Sequence, residues 1–187
     1  MRRRAIAVAA VLGSVRSVAG CSTVPSDLRV GLDAPNSSEQ DFGPVGDYLD
    51  HRCGSLDCHG QIGRNLRIWG CEGMRLNAAD IPQCNRQLGG KSTTPSEHQT
   101  TYRSLVGLEP AVMSTVVAGG GLHPELLTFV LKARGTESHK GGALITPGDP
   151  QDVCITSWLA GSTNTMACAT AIGFPMFPAL PTDASAE

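Results

Sequence analysis

The sequence predicts a mainly α fold: a small helical domain with long irregular loops and disulfides. Three observations predict it. Apolar residues recur at helical spacing in short stretches. Proline, capping residues and glycine bracket those stretches. Seven cysteines against four Phe, two Trp and two Tyr imply that cross-links or a cofactor supplement a core poor in aromatics.

The elements follow in order. A short helix is expected over residues 46–52, running into the first cysteine pair, and residues 65–69 read as a short strand or extended segment. Thr94-Pro95-Ser96-Glu97 fits a capping box with proline at the first helical position, and Tyr102, Leu105 and Val106 follow at i, i+3 and i+4. Val112, Met113, Val116 and Val117 form a second stripe after Pro110, closed by Gly119-Gly120-Gly121. Leu126, Leu127, Val130 and Leu131 form a third after Pro124, stopped at Gly135. Asp149 caps a fourth helix, with Pro150 in its first turn, Ile155, Trp158 and Leu159 on one face, and Gly161 at its end. Helices this short are marginal alone, so packing must stabilise them.

Residues 1–20 read as an export signal: Arg2, Arg3 and Arg4, an apolar stretch from Ala5 to Gly13, then small residues. The ending Val18-Ala19-Gly20-Cys21 resembles the bacterial lipobox, which implies cleavage before Cys21 and acylation of it. The other reading is a plain signal peptide. The signal carries four arginines and no acid, so its removal leaves 11 basic against 17 acidic residues, a net of −6. Attachment to a membrane would then come from lipid rather than charge. Residues 21–42, rich in Ser, Pro, Gly and Asp, are expected to be a flexible tether, 43–172 the folded domain, and 173–187 an irregular tail.

Several classes are disfavoured. There is no run of 18 apolar residues for a spanning helix, and near-balanced charge gives no nucleic-acid footprint. Neither HExxH nor GxSxG occurs, and the triple glycine lacks the Lys-Ser/Thr of a phosphate loop. No catalytic residues are expected.

The segment that carries chemistry is Cys53-Gly54-Ser55-Leu56-Asp57-Cys58-His59-Gly60. Two cysteines followed at once by histidine suit c-type haem attachment, where the common spacing is C-x-x-C-H. Two thiols must reach the two vinyl groups of one porphyrin, and the next side chain must turn its imidazole to the iron. Here four residues separate the cysteines, and Gly54 and Ser55 suit a looped-out pair. Candidate sixth ligands are Met74, Met113, Met166, Met176, His51, His98, His123 and His139, of which His139, between Ser138 and Lys140, reads as solvent-facing. Arg52, Arg64, Arg67 and Arg75 could pair with haem propionates, and Trp69 could stack near the ring. Two other readings stand beside haem: a Cys53–Cys58 disulfide next to a surface histidine, and a zinc site using Cys53, Cys58, His59 and His51 or Cys71.

The wider pattern is similar to cytochrome c-like domains of exported bacterial lipoproteins of planctomycete and myxobacterial type. The likeness rests on the Cys-His-Gly run, His139-Lys140-Gly141-Gly142 and Pro147-Gly148-Asp149-Pro150 before a helix, and spans about residues 48–168. It implies haem c on Cys53 and Cys58, His59 as proximal iron ligand and Met166, in a loop, as the second. It further implies electron exchange with a redox partner protein on the periplasmic side of a membrane, reached through lipid on Cys21. The remaining cysteines pair by proximity as Cys71–Cys84 and Cys154–Cys168. Without haem, the chain would be a disulfide-stabilised exported lipoprotein with a binding or structural role.

Overall fold

Pro95, Pro110 and Pro150 each open a helix, as the sequence predicts. The computed structural model describes residues 31–80 and 91–173. Among them stand six α-helices: α1 (Glu39–Cys53), α2 (Pro95–Val106), α3 (Pro110–Ala118), α4 (Thr128–Ala133), α5 (Pro150–Leu159) and α6 (Thr165–Gly173). Short 3-10 turns occupy Ala78–Asp80 and Pro124–Leu126. No strand forms among the described residues; the stretch 65–69 bends at Asn65 and Leu66, and Trp69 meets Met74 in an isolated bridge. Cys21, Cys84 and Met176, and the expected signal and tail beyond 173, lie outside the described residues.

The capping box predicted for α2 forms in full. Thr94 accepts from the Glu97 amide, and Glu97 accepts from the Thr94 amide. Asp149 caps α5 by accepting from the Asp152 amide at 2.7 Å. The third stripe is interrupted at Leu127, which is extended at φ −84°, ψ 124° and separates the 3-10 turn from α4. Glu109 explains the break: its carboxylate takes both the Thr128 amide and the Thr128 hydroxyl, each at 2.8 Å, in place of a helical partner.

α1 starts at Glu39, well before the expected Gly46. Ser38 caps it and Glu39 and Asp41 lie in its first turn, where the helix dipole favours acids. Gly43, Pro44 and Gly46 are poor interior helix residues and hide it from a local reading. Burial of Phe42, Val45, Tyr48 and Leu49 offsets their cost. Part of the expected tether also belongs to the domain. The Tyr102 hydroxyl donates to Pro35 O at 2.7 Å and the Trp158 indole N–H to Asn36 O at 2.9 Å.

The core joins all six helices. Phe42 stands 5.3 Å from Tyr102 and 5.1 Å from Trp158, ring centre to ring centre, so three of the few aromatics are concentrated at one place. α6 was expected to be a loop. Its residues are small, and only Cys168 and Ala171 are buried. Asn164 starts it by accepting from the Ala167 amide at 2.9 Å, and the Cys154–Cys168 disulfide, with an S–S distance of 2.07 Å, ties it to α5. The α5–α6 pairing of cysteines is the one read from the sequence. Cys71 is also disulfide-bonded.

Two buried polar clusters fix the connection between α1 and α2. Asp50, in α1, accepts from the Cys71 amide at 2.8 Å and the Thr93 hydroxyl at 2.7 Å. Burial raises its pKa, and the hydrogen bonds from Thr93, Glu72 and Cys71 oppose that rise. Arg75 Nε forms an ion pair with Glu97 Oε1 at 2.9 Å, with both side chains almost wholly buried. Arg75 also donates to Lys91 O at 2.9 Å and Ser92 O at 3.0 Å. Arg75 is thereby committed to Glu97 and this backbone.

Candidate functional site

The motif begins where α1 ends. Gly54 caps the helix, donating to Asp50 O at 2.8 Å. The chain then turns back: Cys58 N donates to Ser55 O at 2.9 Å and His59 N to Cys53 O at 2.9 Å. The wide spacing is absorbed by this loop. Leu56 and Asp57 form its exposed tip, whereas Gly54 is buried, so the looped-out pair lies two residues later than expected. Gly60 is required sterically, because a Cβ there would stand 1.8 Å from Gly54 O. Gly73 meets the same carbonyl from another side, at 1.9 Å for its own notional Cβ. Arg64 braces the loop, donating to Cys58 O at 2.9 Å and Asp57 O at 3.2 Å.

His59 returns from this loop to the wall of a cavity of about 530 Å³. That volume falls within the roughly 300–1,000 Å³ of pockets that hold small ligands and cofactors. Its walls include Tyr48, Leu49, Cys53, Leu66, Leu108, Phe129, Leu144 and Ile155, with Arg64, Lys132, His59 and His139 as its basic side chains. The lining is therefore apolar with a few polar groups. His59 Nδ1 lies 3.0 Å from Leu66 O. In the neutral ring this bond places the proton on Nδ1 and leaves the Nε2 lone pair available to a metal, the arrangement found for metal-ligating histidines. Burial holds His59 below the usual histidine pKa; the Leu66 bond opposes that, and His139 and Arg64 add to it. A neutral imidazole is the ligating form.

Cys53 and Cys58 are both free thiols. Burial pushes the Cys53 thiol up to about 12, with Arg52 acting against the rise and Cys58 adding to it. A thiol so protonated is a poor partner for disulfide exchange. Cys53 lines the cavity; Cys58 does not.

The sequence-derived second ligand is placed elsewhere. Met166 lies in the first turn of α6, not in a loop, is 78% exposed, and is not among the cavity residues. Met113 is buried in the core, His98 is held between Glu39 and Asp47, and His123 is exposed beside Glu125. His139, read as solvent-facing, instead lines the cavity. It follows α4 through Gly135 at φ +73°, and Gly142 N closes a turn on His139 O at 2.9 Å. The Lys-Gly-Gly segment thus sets the path of His139, and the signal for its placement was the turn after it. Of the arginines expected around the motif, Arg64 alone lines the cavity. Trp69 lies outside the cavity, and Trp158 is core as expected.

Among the described residues, no cluster of three or more His, Cys, Asp or Glu side chains forms a metal cage. A zinc site of four protein ligands is not assembled there. A haem iron differs in needing only two axial protein ligands. No helix among the described residues is long and apolar enough to cross a membrane. No family model, curated protein or solved structure matches this chain.

Proposed function

We propose that this chain is a lipid-anchored, monohaem c-type electron-transfer protein on the periplasmic side of a membrane. One observation carries the proposal. The two thiols of the motif are free, while the next residue, His59, stands in the wall of a cofactor-sized cavity with its Nδ1 bonded to Leu66 O at 3.0 Å.

The residues fit haem c in three respects. Cys53, on the cavity wall, and Cys58, in the loop beside it, would hold the haem through thioethers to its two vinyl groups. His59 would give a nitrogen to the iron, its ring orientation fixed by the Leu66 carbonyl. The apolar walls suit a flat apolar ligand, and Arg64 and Lys132, beside Glu109, supply charge to the cavity lining. Haem supplies one-electron exchange, and the Cys21 lipid would keep the domain near membrane-bound partners.

The test is expression with a cytochrome c maturation system, followed by a pyridine haemochrome spectrum of the purified protein. A thioether-type haemochrome at one haem per chain supports the reading. Colourless protein with intact thiols overturns it.

The second reading is a disulfide-stabilised exported lipoprotein without haem. It is favoured by the packed Phe42, Tyr102 and Trp158 cluster, which needs no cofactor to fill it. Under that reading the cavity serves another apolar ligand.

A further inference from the structure

We infer that His139 is the second axial ligand of the haem iron, in place of Met166; this rests on the haem reading above. His59 and His139 face the same cavity from segments far apart in sequence. Their ring centres are 5.9 Å apart and their planes only 16° from parallel. Two imidazoles on opposite sides of one metal have ring centres about 6 Å apart, given metal–nitrogen bonds of about 2 Å and a centre-to-nitrogen distance of about 1.1 Å. Rings in direct face-to-face contact would stand roughly 3.5–4 Å apart. An offset stack can also reach this separation, being allowed out to about 7 Å.

The surroundings favour the shared metal. Both rings line one cofactor-sized, mainly apolar cavity, and the bond from His59 Nδ1 to Leu66 O at 3.0 Å leaves His59 Nε2 for the metal. Neighbouring groups fit this use. The Gly141 backbone packs against the ring, where a Cβ would come within 2.9 Å of Cε1, so only glycine leaves the imidazole its place. The turn closed by Gly142 N on His139 O, at 2.9 Å, fixes the backbone beneath it. Met166 has no comparable placement, since its side chain is exposed at the start of α6. A histidine in place of methionine lowers the reduction potential, so the site would run at the reducing end of monohaem cytochromes.

The experiment compares haem-loaded wild type, His139→Ala, His139→Met and Met166→Ala by visible absorption, electron paramagnetic resonance and potentiometry. The expected wild type is low-spin, without the far-red charge-transfer band of methionine-ligated ferric haem. His139→Ala becomes high-spin, and added imidazole restores the low-spin spectrum. His139→Met gains the far-red band or raises the potential, and Met166→Ala matches wild type. A low-spin His139→Ala without added ligand, or a high-spin Met166→Ala, overturns the assignment while leaving haem attachment standing. Failure of wild type to take up haem overturns both readings together. If His139→Ala fails to fold, the spectra of His139→Met and Met166→Ala decide: a far-red band already in wild type refutes His139.

Discussion

Replacing Glu97 by alanine should remove a large part of the domain's stability. Glu97 is fully buried. Its Oε1 faces Arg75 Nε at 2.9 Å and accepts from the Leu76 amide at 3.1 Å, while Oε2 accepts from the Thr94 amide at 2.9 Å. Truncation leaves the Arg75 charge buried without its acid, which costs about 3–5 kcal/mol. Loss of the capping box alone would cost about 1 kcal/mol, and the two effects overlap because they share one carboxylate. The expected loss is therefore about 4 kcal/mol, out of a total that for such domains is about 5–15 kcal/mol. In a domain of this size the midpoint temperature would fall by roughly 8–16 °C. Urea unfolding followed by far-ultraviolet circular dichroism measures it, with an unchanged denaturant slope expected. The double variant Arg75→Met/Glu97→Leu should recover at least half of the loss, because no lone charge remains buried. A Glu97→Ala loss under about 1 kcal/mol, the value of a solvent-exposed pair, would refute the argument that this pair is buried and essential.

Three further predictions bear on the motif, α6 and pH. Gly60→Ala should abolish haem uptake or destabilise the loop strongly, since its Cβ would lie 1.8 Å from Gly54 O; normal folding and loading would show that the turn is not as described. Cys154→Ser/Cys168→Ser should cost about 3 kcal/mol by freeing a 14-residue separation, read as a urea-midpoint shift, and an unchanged midpoint would contradict a stapled α6. Burial alone would lower the His98 pKa, but the hydrogen bonds it donates to Asp47 and Glu39 outweigh it and the net shift is upward. His98⁺ between Glu39 and Asp47 thus adds stability that is fully present below about pH 6.5 and is lost as pH rises through the raised folded value. Unfolding measured between pH 6 and 9 should show this decline, His98→Gln should flatten it, and equal slopes in both proteins would remove the explanation.

Helices with strong local punctuation were legible. Thr94 to Glu97 and Asp149 to Pro150 satisfy helix ends with their own side chains, so their signals do not depend on the rest of the chain. α1 was shortened because Gly43, Pro44 and Gly46 argue against a helix that tertiary burial of Phe42 and Val45 nevertheless stabilises. α6 is not legible as a helix, because its small residues give almost no amphipathic stripe, although Asn164 is a readable start. At the site, the Cys-Cys-His order was local and visible. The placement of His139 was not, because it depends on α4 and the turn through Gly142 bringing a distant segment across the cavity. Met166 matched a linear pattern, but the helix that contains it carries the side chain to the surface.

If Cys53 and Cys58 are reserved for a porphyrin, peptide mapping of the mature protein without reduction, after expression with the cytochrome c maturation machinery, will show it. One haem is expected covalently held on the peptide carrying Cys53 and Cys58, with Cys154 joined to Cys168. A Cys53–Cys58 disulfide peptide with no haem would contradict it.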